Sequence, residues 1–355
     1  MAIAAYINAI GTAVPGHDIH QPFIAWAQAQ LTSDTDRALF QRMARRSGIS
    51  HRWSVLPKAN GTGSPVEPGG FYASAEFPPT STRMKFYAQA APALALQAID
   101  ALAKQVKTDG ITHLVVASCT GFVAPGVDQV IAHALGLSPS VERLLVGYMG
   151  CYAAAAALRS ARHIVRSDPG ARVLAICVEL SSLHLQKYDR LETLLAALQF
   201  GDGAAAALVT ADPAGLRIDA PFAATLPDSQ HLIQWHIGDH GFAMHLSGEV
   251  PRRIANALAE SEMRAILCPE GVKEVDGWAV HAGGRSILDA VAHGLDLPEH
   301  ALDSSRAVLD AFGNMSSATL MFVLAGMLAD KVPRNGIALA FGPGLAAEGF
   351  SFSSP

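Results

Sequence analysis

The chain has 355 residues, half of them hydrophobic and 16 % charged, with mean hydropathy +0.25, enough to bury a large core in one big domain or two tightly joined halves. Its net charge of −5 and pI near 6.3 leave no basic footprint, and its lysines and arginines do not cluster with aromatics, so nucleic acid is a poor partner. Four cysteines, Cys119, Cys151, Cys177 and Cys268, are scattered with no CxxC pair, which argues against a disulfide framework or zinc knuckle and for a reducing, cytoplasmic setting.

The opening "MAIAAYINAIGTAVPGHDIH" lacks a basic segment ahead of its apolar run, which makes it a poor secretory leader. Its alternation and β-branched residues predict a first strand. "PKANGTGSPVEPGGFYASAEFPPTSTR" (57–83) is rich in Pro, Gly and Ser. It reads as a long surface excursion rather than a domain linker, because strands continue beyond it. "ITHLVVASCTG" (111–121), "ARVLAICVEL" (171–180) and "GAAAALVTADP" (203–213) read as buried strands separated by helical patterns, an α/β arrangement with sheets covered by helices.

A softer boundary falls near 214–220, dividing the chain into halves 1–215 and 216–355. The second half repeats the theme. "VDGWAVHAGGRSILDAVAHGL" (275–295) predicts strand, glycine turn and helix; "GNMSSATLMFVLAGMLAD" (313–330) predicts turn and helix; "NGIALAFGPGL" (335–345) predicts a strand ending in a glycine loop. The apolar run "ATLMFVLAGMLA" (318–329) is shorter than the roughly 18 residues of a spanning helix, so no membrane span is expected.

Three residues carry candidate chemistry. Cys151 lies in "GYMGCYAAAAALRSA" (147–161), behind Gly150 and ahead of five alanines. A tight turn before a helix puts the thiol at a helix N-terminus, where amide N–H groups favour a thiolate. A bare helix can run through a crowded centre. A plain core cysteine is the other reading, and Cys177, inside "VLAICVEL", is assigned to it. His281 ends the strand "GWAVHAGG" and either faces a cavity or is a satisfied strand-end histidine. Asn314 in "FGNMSSA" is either a turn residue or an amide donor to an oxyanion. Together the three fit acyl transfer through a thioester. His236 and His240 are four apart, but Gly238 and Asp239 interrupt any helix, so no metal site is expected. There is no GxxxxGK[ST] or GxSxG motif, and "GPGLAAEG" lacks dinucleotide spacing.

The blocks "GCYAAAAALRSARHI…GARVLAICVEL", "LQFGDGAAAALVTADP", "VHAGGRSILDAV", "VLDAFGNMSSATLMFVL" and "FGPGL" resemble type III polyketide synthases, the chalcone synthase family, in order from about residue 40 to 349. The resemblance implies a thiolase-like fold, two similar halves in a five-layer αβαβα arrangement, working as a homodimer. It implies Cys151 as nucleophile with His281 and Asn314 as partners, coenzyme A thioesters (acyl-CoA and malonyl-CoA) as substrates, and neither cofactor nor metal. It further implies phosphate contacts at Arg42 and Arg46, with a third family lysine falling at Leu39. Phe200 and Met244 match two aromatic gatekeepers between access tunnel and cavity, the second being methionine here. Gly283, Gly284, Ser316, Gly342, Pro343 and Gly344 match cavity and substrate-binding positions, for which ordinary turn roles are the alternative.

Plant chalcone synthases have threonine at Cys119 and glycine at Trp235, and a methionine inserted into the partner's site falls at Ala124. Their threonine after the "VEL"-type strand becomes Ser181. Cys119 and "VELSSL" are similar to bacterial members making alkylpyrones, alkylresorcinols or tetrahydroxynaphthalene. Cys119 is either a second cavity thiol or a structural one. The expectation is an aliphatic, fatty acyl starter, extended by decarboxylative Claisen condensation and cyclised to an alkylpyrone, resorcinol or similar product. An initiating ketoacyl-carrier-protein synthase, making one condensation, is the alternative. That group's histidine block usually reads His-Gln-Ala-Asn, against His-Ala-Gly-Gly here.

Overall fold

The computed structural model describes residues 3–61, 63–188, 190–330 and 332–355. In the first half, strand β1 (Ala5–Ala13) leads to a two-residue ladder, β2 (His17–Asp18) with β3 (Trp53–Ser54), that brackets helices α1 (His20–Gln30) and α2 (Asp34–Arg45). There follow α3 (Thr80–Ala103), β4 (His113–Ser118), α4 (Val127–Ala134), β5 (Glu142–Gly147), α5 (Ala153–Ser167), β6 (Val173–Leu180), α6 (Leu191–Ala197) and β7 (Asp202–Thr210). The second half runs β8 (Leu216–Thr225), the hairpin β9 (Ile233–Gly238) and β10 (Gly241–Leu246), α7 (Val250–Ala259), α8 (Ser261–Leu267), β11 (Gly277–Val280), α9 (Arg285–Gly294), α10 (Asp303–Phe312), α11 (Ala318–Ala329), β12 (Gly336–Gly342) and β13 (Ala346–Ser353).

Among the described residues nine strands form one sheet, in the order β11-β12-β13-β8-β1-β7-β6-β4-β5. The halves join edge to edge where β1 pairs antiparallel with β8, through Ala5 to Ile218, Tyr6 to Arg217 and Ile7 to Leu216. The readings at the N-terminus, 111–121, 171–180 and 203–213 appear as β1, β4, β6 and β7. β6 and β7 are buried along their whole length, as strands covered on both faces must be, which is why they read as unbroken apolar runs.

The layers follow from which faces are apolar. α3 covers β1, β7 and β6 on one side; α7 and α9 close the other side over Trp278, Val280, Ile337 and Leu339. Between them α5 and α11 touch strands of both halves. Ala153, Ala154, Ala155, Ala156 and Ala157 of α5 are all buried. The alanine run is therefore the central helix, and a larger side chain there would overpack both sheet faces at about 1–3 kcal/mol. This is the layered α/β architecture expected from the sequence. No helix among the described residues is long and apolar enough to cross a membrane.

The 57–83 segment, of which residue 62 lies outside the described residues, is exposed over much of its length, as its composition predicts, but it also sends side chains inward. Tyr72 and Phe77 are buried with ring centroids 4.9 Å apart, and the Tyr72 hydroxyl donates to the Ser182 carbonyl at 2.7 Å. Two aromatics that can leave water outweigh the loop-forming residues around them. The segment thus runs over the surface while these side chains close over the interior.

Candidate active site

Cys151 lies in a single 3₁₀ turn, Gly150–Tyr152, that runs straight into α5. Gly150 adopts φ +77°, and a Cβ there would lie 2.3 Å from Cδ of Pro343. Only glycine allows both the left-handed turn and that approach. The Gly150 N–H donates to the Cys119 sulfur at 2.9 Å, so Cys119, itself buried, holds the turn in place. Gly342 packs against the same turn, where a Cβ would lie 3.3 Å from the Cys151 nitrogen.

His281 follows β11, and its backbone N–H donates to the Leu339 carbonyl at 2.8 Å. It is buried, and its Nε2 has no hydrogen-bond partner among the described residues. Asn314 follows Gly313, and its backbone bonds to Gln199 and Gly201 on the segment carrying Phe200. Its Oδ1 accepts from the Ser316 N–H at 2.8 Å, and its Nδ2 donates to the Gly283 carbonyl at 3.2 Å. The Asn314 side chain is in hydrogen-bond reach of both the Cys151 thiol and the His281 ring. Residues 151, 281 and 314 are thus gathered at one point by three loops.

Burial pushes the Cys151 thiol up to about 12, against hydrogen bonds from Ser316 and Asn314 that favour the thiolate. Burial also pulls His281 down to about 4, opposed by bonds to Asn314 and the Ser316 backbone. Burial thus favours the uncharged form of each group, while the bonds from Asn314 and Ser316 favour the charged one.

Phe200, the backbone bridge partner of Asn314, stands with Met244, Trp235 and Ser181 in the wall of a cavity of about 70 Å³. Trp235 and Met244 are cross-strand partners in the β9–β10 hairpin, so the two departures from the plant pattern face one another. The Trp235 indole N–H donates to the Cys119 carbonyl at 3.0 Å. Gly283 supplies the carbonyl that holds Asn314, Gly284 opens α9, and the Gly344 carbonyl accepts from the Ser229 hydroxyl at 2.8 Å. Arg42 and Arg46 stand exposed at the end of α2, outside the cavity wall.

Residues 2–213 match the family described as chalcone and stilbene synthases, N-terminal domain, and residues 218–354 match its C-terminal domain. The chain belongs to the chalcone and stilbene synthase family. The resemblance drawn from the sequence is thereby borne out. Among solved structures, PKS-I from the brown alga Ectocarpus siliculosus is 28% identical with TM-score 0.87, covering 100% of this chain and 99% of its own. The C-terminal type III polyketide synthase domain of Steely1, a type I/III hybrid from Dictyostelium, is 25% identical with TM-score 0.87, covering 99% of each chain. The chain is a polyketide synthase acyltransferase of that family.

Two residues of the synthase escaped the sequence reading. His184 Nε2 donates to the Thr120 carbonyl (2.7 Å), its Nδ1 accepts from the Phe242 N–H, and its ring stacks on Phe242 at 4.1 Å. Nothing in its local pattern marks it. Glu179 did carry a signal, as the one charge inside the apolar strand "VLAICVEL". It is fully buried and accepts from the Cys119 N–H, the Thr120 hydroxyl and the Ser317 hydroxyl. Burial raises its carboxyl from 4.5 to about 7, against those three bonds.

A folded-state value above the unfolded one means the native state binds the proton more tightly. The stability it contributes is present at acid pH and is lost as pH rises through about 7. We expect Glu179→Gln to gain on the wild-type synthase by about 2–3 kcal/mol between about pH 5 and about pH 8. Chemical denaturation at the two pH values checks this; parallel pH dependences would show that Glu179 is ionised throughout.

Proposed function

We propose that the synthase loads an aliphatic acyl-CoA starter on Cys151, extends it with malonyl-CoA by decarboxylative Claisen condensation, and cyclises the chain to an alkylpyrone, resorcinol or similar aromatic polyketide. The observation that carries this reading is the unpartnered His281 Nε2 beside the Asn314 amide at Cys151. A buried ring nitrogen left without a partner needs one that arrives with the substrate.

His281 Nε2 takes the thiol proton as the Cys151 sulfur attacks the starter thioester. Coenzyme A leaves as a thiolate and takes a proton from solvent. The proton on Nε2 and the Asn314 amide then donate to the thioester oxygen of malonyl-CoA. Carbon dioxide departs, its bonding electrons pass into an enolate, and that oxygen carries the charge. The enolate carbon attacks the acyl-Cys151 carbonyl, and the sulfur leaves to recover its proton from His281. Arg42 and Arg46 hold the coenzyme A phosphates, Phe200 and Met244 gate the cavity, Ser181 and Trp235 line it, and Cys119, Gly283, Gly284, Ser316 and the Gly342-Pro343-Gly344 loop shape the surroundings of Cys151, His281 and Asn314. No resident cofactor or metal enters any step.

A cavity of about 70 Å³ holds about five water-sized groups at roughly 10–15 Å³ each, which supports a short or medium aliphatic tail over a long fatty one. Mass spectrometry of products from purified protein, malonyl-CoA and acyl-CoAs from acetyl to long-chain, with one aromatic starter, tests the reading. Products with two or three added ketide units are expected. A single condensation, or none without a carrier protein, would replace it with the initiating ketoacyl synthase.

The exposed sheet edge supports a homodimer. β5 is unpaired on its outer side among the described residues, with Leu144 44% and Leu145 43% exposed. Such an edge invites a second copy. Light scattering should return twice the chain mass; a monomer at micromolar concentration removes the dimer. Four free cysteines support a cytoplasmic setting, which fractionation of the native cell checks.

A further inference from the structure

The cavity beyond Phe200 has polar atoms that the condensation does not use. Arg52 is 1% exposed. Its Nε donates to His20 Nδ1 at 3.0 Å, and its Nη1 donates to the carbonyls of Ala197 (3.1 Å) and Phe200 (2.8 Å). These bonds anchor the end of α6. The third nitrogen, Nη2, has no partner among the described residues. Ser64 is 3% exposed, and its hydroxyl likewise has no partner among them. Both residues line the cavity, whose other walls include Phe23, Leu56, Val66 and Leu185.

Buried donors are ordinarily paired, and an unpaired one costs as much as a hydrogen bond is worth. A purely aliphatic tail filling this space would leave both groups dry and unpaired. A tail ending in oxygen would satisfy them, since a guanidinium N–H donates and a serine hydroxyl donates or accepts. The charge balance selects a neutral oxygen. Asp18, and after it Asp202, which is buried and already accepts from Val55 and twice from Ser182, offset the Arg52 charge. A carboxylate would add a second buried negative charge with no further cation in the wall.

We propose that the starter's tail enters this cavity and that Arg52 Nη2 and the Ser64 hydroxyl hydrogen-bond a neutral oxygen at its far end. The favoured starter is then an aliphatic acyl-CoA with a terminal hydroxyl or carbonyl in place of a terminal methyl. This rests on the reading that Cys151 accepts the starter. It assigns Arg52 and Ser64 as specificity residues, remote in sequence from the reacting atoms.

The test uses the full chain with malonyl-CoA and three starters of equal carbon count: hexanoyl-CoA, 6-hydroxyhexanoyl-CoA and adipoyl-CoA. The hydroxylated starter is expected to exceed hexanoyl-CoA at least about tenfold in kcat/KM, because polar sites reject analogues that lack the bonding group. Ser64→Ala, a small change in a loop, should cut that ratio at least about threefold; Arg52→Lys should cut it further where the variant folds. Equal use of hexanoyl-CoA and its hydroxylated partner overturns the inference and leaves the polyketide reading standing. So does a ratio that Ser64→Ala leaves unmoved. Preference for adipoyl-CoA overturns the neutral oxygen in favour of an anion. No extension of any starter removes the polyketide reading, and the inference with it.

Discussion

Replacing Cys151 with alanine is expected to stop chain extension, lowering polyketide formation by at least about 10³-fold. In the proposed mechanism the sulfur carries the acyl chain, at the start of α5 and within reach of Asn314 and Ser316. Losing it removes a covalent intermediate, not a fraction of binding. Malonyl-CoA decarboxylation should persist at a low rate, because His281 and Asn314 still present their donors. The variant should fold as the wild type does, since its turn is set by Gly150, Cys119 and Pro343. Product analysis beside a carbon dioxide assay separates the two steps. Full-length polyketide from Cys151→Ala would end the assignment of the nucleophile.

Gly150→Ala is expected to cost about 2–6 kcal/mol of stability and at least about 10²-fold in activity. Two causes add. A non-glycine residue at φ +77° pays roughly 1–3 kcal/mol in backbone strain. Its Cβ would also meet Pro343 Cδ at 2.3 Å, and relieving that overlap is overpacking, worth about 1–3 kcal/mol. Relief requires the turn to move, and Cys151 moves with it, so activity falls through misplacement of the attacking atom. Gly136→Ala is the control: φ is +60° and no atom lies within 4 Å of the new Cβ, so only the backbone cost of roughly 1–3 kcal/mol remains. Thermal denaturation and turnover measured on both variants decide the matter. Wild-type melting and turnover in Gly150→Ala would show that the turn tolerates what the geometry forbids.

Much of this synthase is written locally. The eight buried residues of β6 and the alanines of α5 state their environment in composition alone. Strands covered on both faces lose their polar alternation, and a helix threaded between sheets can carry little beyond Cβ. Cys151, His281 and Asn314 were also legible, because each stands next to or within two residues of a glycine at the end or start of a strand or helix. Their proximity was not legible. It comes from backbone bonds between Asn314 and residues 199–201, and between His281 and Leu339.

What tertiary structure decided is every property that depends on distant groups sharing dry space. Glu179 collects donors from residues 119, 120 and 317. Trp235 stands opposite Met244 only because the hairpin sets that register. Tyr72 and Ser64, in a stretch with the composition of a loop, turn inward to close a cavity that Arg52 enters from another element. The opposed pulls on Cys151 and His281, burial against the bonds from Asn314 and Ser316, are of the same kind. Hydrophobic period is a property of neighbours along the chain and survives in the sequence. Desolvation, register and the pairing of buried polar groups are properties of neighbours in space, and they exist only once the chain has folded.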